Sequence, residues 1–210
     1  MRNGKIAIHL QDDDEIISVQ FTTGDNELLI ASRSGKCIRF HEENIRAMGR
    51  TAQGVKAMKL TGDDVLVDML VVDPNADIFT LTSKGYGKRS SIEDYRLQGR
   101  AGKGIKAGIF NDKTGDLVSL KLVTDENDIM IITSAGTIIR MHADTISKIG
   151  RNTRGVRVMN VKESEVATVD ITERDDDAEV EAPEETELSE EAKAEALAQA
   201  VETAEEISEE

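Results

Sequence analysis

One pattern recurs along this 210-residue chain about every fifty residues, and it constrains the fold more than any other feature. Gly49-Arg50 leads into Thr51-Ala52-Gln53-Gly54-Val55-Lys56. Gly99-Arg100 leads into Ala101-Gly102-Lys103-Gly104-Ile105-Lys106, and Gly150-Arg151 into Asn152-Thr153-Arg154-Gly155-Val156-Arg157. The shared pattern is Gly-Arg-x-x-x-Gly-[Val/Ile]-[Lys/Arg]. Upstream, Ser32-Arg33-Ser34-Gly35, Ser83-Lys84-Gly85 and Ser134-Ala135-Gly136 hold matching places. Fixed glycines and fixed basic positions at constant spacing describe one structural unit copied in tandem. Units of about 40–50 residues are the size of propeller blades.

Between these anchors the apolar residues alternate with period two, which predicts strands rather than helices. The first repeat offers strands over 36–40, 54–60, 65–72 and 77–82. The second offers 104–110, 116–123 and 128–133, with a poorer first strand near 86–89. The third offers 137–141, 155–161 and 165–171. Residues 5–10, 15–21 and 27–32 match the last three strands of a repeat whose start is missing. The expectation is an all-β, propeller-like array of about three and a half blades over residues 1–174, anchored at 49–50, 99–100 and 150–151. Gly35, Gly85 and Gly136 fall between strands, where a tight turn needs positive φ. Gly49, Gly99 and Gly150 lie in a longer connection, where a glycine also lets a backbone approach a phosphate closely.

Charge is sorted in phase with the repeat. Residues 33–59 carry seven basic and two acidic side chains, whereas 60–83 carry none and five. Residues 84–106 carry seven against two, then 107–135 two against five; 136–162 carry six against one, then 163–174 one against four. The basic half of each unit holds the Gly-Arg connection and the strands beside it. Stacked or ring-closed units bring those halves to one rim, at spacings suited to a phosphate backbone. An ordinary solvated surface is not segregated in this way. The formal net charge of -15 does not argue against an anionic partner, because residues 175–210 hold 16 acidic residues and one basic, Lys193. The rest balances at 25 of each sign. Arg46, Arg50, Lys56, Arg96, Arg100, Lys103, Lys106, Arg151, Arg154 and Arg157 occupy the basic connections and the strand after each. They are the expected DNA-binding residues, contacting phosphates and not bases, since no recognition helix or aromatic ladder is available.

No catalytic constellation is evident. His9, His41 and His142 are scattered, and His41 and His142 stand at equivalent repeat positions, where the second copy has Ser91; no metal site is expected. Cys37 lies within a strand and is expected to be buried, and a single cysteine excludes a disulfide framework. Asp12-Asp13-Asp14, Asp63-Asp64 and Asp125-Glu126 suit hairpin turns better than calcium loops. No phosphate-binding loop with a following Lys-Ser/Thr occurs. No apolar stretch reaches the ~18 residues of a membrane span, and no signal-peptide core is seen, so a soluble, intracellular chain is expected.

The Gly-Arg repeats, together with Ile45-Arg46-Ala47-Met48-Gly49-Arg50 and Gly85-Tyr86-Gly87-Lys88-Arg89, resemble the C-terminal domain of DNA gyrase A over residues 1 to about 174. The equivalent polypeptide of topoisomerase IV is the close relative. The resemblance implies a β-pinwheel whose blades exchange strands with their neighbours. It implies a basic rim that wraps double-stranded DNA as part of an ATP-dependent type II topoisomerase introducing negative supercoils. It further implies the rest of gyrase A, and gyrase B, as partners in a heterotetramer, and a cytoplasmic, chromosome-associated location. On its own the chain is not expected to be an enzyme. The family's cleaving tyrosine belongs to another domain, and the whole enzyme's ATP and Mg are bound elsewhere, so no cofactor is expected here. Two features depart from the family: the Gln-Arg-Arg-Gly-Gly-Lys-Gly box is missing, and the chain starts in mid-blade, like a C-terminal fragment. A propeller-like module that meets an acidic protein is the competing class.

The acidic segment 175–210 is expected to be disordered at first and marginally helical over 188–207, with Ser189 at the helix start. Tethered beside a basic rim, it is expected to compete with DNA phosphates.

Overall fold

The computed structural model describes residues 4–181, which contain no α-helix and eleven strands in three antiparallel sheets. Strands β1 (Glu27–Ser32) and β2 (Lys36–His41) form a hairpin, and β3 (Leu66–Val71) pairs with the other side of β1. The same module recurs as β4 (Asp77–Thr82), β5 (Tyr86–Ser90) and β7 (Leu117–Val123). It recurs again as β8 (Asn127–Thr133), β9 (Ile138–His142) and β11 (Val166–Glu173). The hairpins close through Gly35, Gly85 and Gly136, with φ of +80, +79 and +81. Each return strand ends where a short 3-10 turn begins, and His41, Ser91 and His142 sit at that junction as equivalent repeat positions.

The fourth strand of a blade comes from the following repeat. Strand β6 (Ile105–Lys106) pairs with β2, placing Lys36 opposite Lys106 and Cys37 opposite Ile105. Strand β10 (Val156–Arg157) pairs with β5, placing Gly87 opposite Val156 and Tyr86 opposite Arg157. These are the [Val/Ile]-[Lys/Arg] ends of the recurring pattern. The blades therefore exchange strands as the resemblance implied, and the long strands expected over 104–110 and 155–161 shorten to two paired residues each.

The cores lie between blades. One cluster joins Leu29, Ala31, Cys37 and Leu70 of blade 1 to Ile78, Tyr95, Leu117 and Leu120 of blade 2. The next joins Phe79, Leu81 and Val123 to Ile129, Ile131, Met141 and Val169 of blade 3. Cys37 is fully buried, and burial pushes its thiol up to about 12 despite the nearby charges of Arg151, Lys88 and Lys36. A polar clasp adds to the first joint: Asp68 on β3 accepts from Ser119 Oγ at 2.9 Å, Leu120 N at 3.2 Å and Lys121 Nζ at 3.3 Å on β7.

Two expected strands are not formed. Residues 5–10 and 15–21 alternate in hydrophobicity but have no ladder, and Val19 and Phe21 stand 77% and 98% exposed. The stretch 54–60 keeps only one bridge, between Met58 and Gly102. The physical reason is common to all three. Each matches a strand that elsewhere pairs with a hairpin lying earlier in the chain, and no such hairpin stands among the described residues. Alternation supplies the face; only a partner supplies the hydrogen bonds. The stretch near 86–89, expected to be weak, is instead the most completely buried strand. The division at residue 174 is blurred, because the backbone stays bonded to blade 3 as far as Glu181. The helix expected over 188–207 lies outside the described residues.

Candidate nucleic-acid interface

The Gly99-Arg100 and Gly150-Arg151 connections lie along the return strand of the preceding blade. Leu97 bridges Arg39 and Lys148 bridges Arg89, both in parallel sense. Gln98 N donates to Arg39 O at 2.8 Å, and Ile149 N donates to Arg89 O at 2.9 Å. The strand arginines return the contact. Arg39 Nη1 donates to Ile92 O at 3.0 Å and Tyr95 O at 3.1 Å, and Arg89 Nε to Ile146 O at 3.1 Å. Acidic partners orient these arginines: Glu27, in the same hairpin, lies 2.5 Å from Arg39, and Asp77 of the same hairpin and Asp125 of the turn after β7 lie beside Arg89. Period-two reading could not find them, because an arginine on a strand looks like a solvated one.

The arginine of each Gly-Arg pair spans two repeats. Arg100 donates through Nε to Asn44 O at 3.3 Å and through Nη1 to Lys56 O at 2.7 Å. Arg151 makes the same pair one repeat later, to Asp94 O at 2.8 Å and to Lys106 O. No bond of this kind is seen for Arg50 among the described residues, and its side chain is exposed. Arg100 and Arg151 are half-buried. They join neighbouring connections into a continuous run, with part of each guanidinium fork still unused.

The second glycine of the pattern explains why glycine stands there. Gly104 has φ +70, and a Cβ on it would lie 2.4 Å from Cys37 O; Gly155 has φ +87, and its Cβ would lie 2.7 Å from Gly87 O. Both the left-handed backbone and the close approach exclude a side chain. Gly54 has φ +84 but open space around it.

Lys88 is the residue sequence reasoning missed. It is 2% exposed, and its ammonium donates to Gly150 O at 3.2 Å, Thr153 O at 2.8 Å, Thr153 Oγ1 at 3.3 Å and Arg151 O. A buried ammonium is tolerable only when its donors are satisfied, and here the carbonyls of the third connection satisfy them. The signal was present, because Ile38 and Ile139 occupy the equivalent positions of the other blades.

The remaining basic residues divide by exposure. Arg46, Lys56, Arg96, Lys103 and Lys106 are exposed. Arg154 and Arg157 are half-buried over the Tyr86 ring, at 5.8 and 5.4 Å from its centroid, and Arg157 Nη2 donates to Tyr86 Oη at 2.9 Å. All the candidates lie on or next to the connections, and no described element gathers them into one pocket. The arrangement repeats a positive site at one position per blade. Among the described residues, no helix is long and apolar enough to cross a membrane.

Comparison with known proteins bears on this arrangement. The family described as DNA gyrase C-terminal domain, beta-propeller, matches residues 2–23, 26–73, 76–124 and 127–173. DNA gyrase A of Staphylococcus epidermidis is 41% identical over 179 residues, covering 84% of this chain and 20% of the relative. The Staphylococcus aureus gyrase A is 42% identical over 188 residues, covering 88% and 21%. The chain thus spans about a fifth of the length of these relatives. A solved DNA gyrase A C-terminal domain superposes with a TM-score of 0.74 at 26% identity, covering 79% of this chain and 57% of that one. The C-terminal domain of a DNA topoisomerase IV gives 0.75 at 24% identity, covering 94% and 57%, a likeness of fold. With successive matches placed blade by blade and relatives above 40% identity, this chain belongs to the DNA gyrase C-terminal domain family.

Proposed function

We propose that the chain is a non-catalytic, DNA-wrapping part of a type II topoisomerase, acting within the gyrase A polypeptide of a DNA gyrase. The observation that carries this reading is the recurrence of one basic connection at one structural position on successive blades. A ligand that meets such an array must itself be a repeating polyanion, and duplex DNA presents one charge per ~1.7 Å of axis. Residues 1–174 are read as the wrapping array and 175–210 as an acidic extension. Arg46, Arg50, Lys56, Arg96, Arg100, Lys103, Lys106, Arg151, Arg154 and Arg157 carry the phosphate contacts in this reading. The exposed members serve as contacts alone. Arg100 and Arg151 combine contact with holding the track in shape. The rest of gyrase A, and gyrase B, are the proposed partners, in an ATP-dependent enzyme that supercoils DNA in a chromosome-associated, cytoplasmic setting.

Backbone-only binding along a curved array depends on duplex length and falls steeply with salt. A gel-shift comparison of a long duplex with a short oligonucleotide, at several salt concentrations, tests both. Tighter binding to the long duplex is expected. Equal affinity for both, or no binding at low salt, would overturn the wrapping function and favour an acidic protein as partner.

A further inference from the structure

No further Gly-Arg connection lies over blade 3 among the described residues, yet its return strand is occupied. In blade 1 the carbonyl of Arg39 accepts from Gln98 N at 2.8 Å, and in blade 2 that of Arg89 accepts from Ile149 N at 2.9 Å. In blade 3 the equivalent carbonyl, of Arg140, accepts from Glu181 N at 2.7 Å. The guanidinium differs: Arg140 Nη2 donates to Glu173 O at 3.3 Å, at the end of β11 in its own blade, where Arg39 and Arg89 donate to carbonyls of the next repeat. Its orienting acid is also present, with Arg140 Nε donating to Asp128 Oδ2 at 2.7 Å.

We propose that residues 174–181 form a strap, docked in the socket that blades 1 and 2 offer to the next repeat's Gly-Arg connection. The socket fits an extended segment of any sequence, because it offers one backbone acceptor and asks for one N–H. Contacts specific to the strap hold it further. Asp128, fully buried, accepts from Asp175 N at 3.1 Å and lies 2.6 Å from His142 Nδ1. Arg174 donates to Asp176 at 2.6 Å, and to Asp144 at 2.7 Å in the turn after β9. The strap reverses the charge of what it replaces. Connections over blades 1 and 2 bring Arg96, Arg100, Lys148 and Arg151, whereas the strap brings Asp175, Asp176, Asp177, Glu179 and Glu181 against Arg174 alone. The row of basic connections thus ends in an acidic one, and the chain runs on from a fixed point on β9.

Amide exchange on the isotope-labelled full chain tests this. The Glu181 amide should exchange about fivefold or more slower than its unstructured rate, as for a native hydrogen bond. Glu181→Pro deletes that amide while remaining compatible with extended backbone. It should shift the Arg140 resonance and speed exchange at Asp175 by a similar factor. Glu181→Ala, which loses the same charge but keeps the N–H, should do neither. A Glu181 amide exchanging at the unstructured rate, or Pro and Ala variants that behave alike, would overturn the strap.

Discussion

The connections at Gly49-Arg50 and Gly150-Arg151 carry the same pattern and stand in opposite conditions. Around the third, Val156 is 1% exposed and paired with Gly87, Gly155 presses on the backbone of β5, and Lys88 gathers the loop's carbonyls. Around the first, Val55 is 39% exposed, Gly54 has open space, and the only bridge of the segment among the described residues is at Met58. The pattern therefore encodes a plug rather than a self-standing unit. Its conformation is completed by a socket roughly one repeat earlier, and where no socket is described the same residues stay unpaired.

The sharpest way to break this comparison is to remove the clasp present at only one of the two sites. Lys88→Ala leaves the carbonyls of Gly150, Arg151 and Thr153 without their shared donor and a void beneath them. A loss of about 3–4 kcal/mol is expected in urea unfolding, at the level of broken buried polar networks. Exchange at 150–157 should then approach that at 49–56. A smaller contrast between the two sites follows from the glycines. Gly155→Ala adds backbone strain of about 1–2 kcal/mol to a clash costing about 1–3 kcal/mol, whereas Gly54→Ala bears the strain alone. Equal losses at the two positions would mean that close approach to β5 is unimportant.

The arginines sharpen the comparison in DNA binding. Arg151→Ala should lower stability by about 1.5–3 kcal/mol, the range for charge-donated hydrogen bonds, and Arg50→Ala should leave it nearly unchanged. Each lost phosphate contact should flatten the salt slope by about 0.9. A flatter slope for Arg50→Ala without loss of stability separates contact from scaffold. The smallest effect concerns pH at the strap. Burial raises the Asp128 carboxyl, but hydrogen bonds from His142, the Asp175 amide and Arg140 outweigh it and hold it below the usual value. A depressed pKa contributes stability that is complete above the unfolded value of ~3.9 and lost as pH falls through the lower folded value. The groups facing it are His142 and Arg140 from β9 and Asp175 from the strap. Protection of the Asp175 and Glu181 amides, relative to the intrinsic exchange rate at each pH, should therefore hold down to about pH 4 and be lost below it.

Much of this was legible from residues alone. The repeat, the three hairpins with their turn glycines, the burial of Cys37 and the in-phase charge all follow from local pattern. The misreadings share one cause. Residues 15–21 alternate as well as 66–71 do, but alternation reports a strand's faces and is silent about its neighbour. The span 104–110 looked like a full strand, although its register with β2 covers Ile105 and Lys106 only. The Tyr86-Gly87-Lys88-Arg89 stretch looked weak because its lysine breaks the apolar pattern, and that lysine serves the next repeat's loop. The candidate basic residues were found by sign and position, which cannot separate Lys103, exposed, from Arg151, bonded to two carbonyls of the preceding repeat. A distinction of that kind depends on contacts about fifty residues away.

The exchanged strand also sets a timetable. While the protein is being synthesised, the β1–β2 hairpin can form soon after it emerges, but its edge stays open until Ile105–Lys106 has been made. At about 5–20 residues per second that wait lasts roughly 3–15 s. Throughout it, the exposed edge at Lys36 and Cys37 is a template for any extended segment nearby, including the same strand on a neighbouring nascent chain. Blades 1 and 2 are each sealed only by the birth of the repeat that follows, so this part of the array must be completed in order from its N-terminal side.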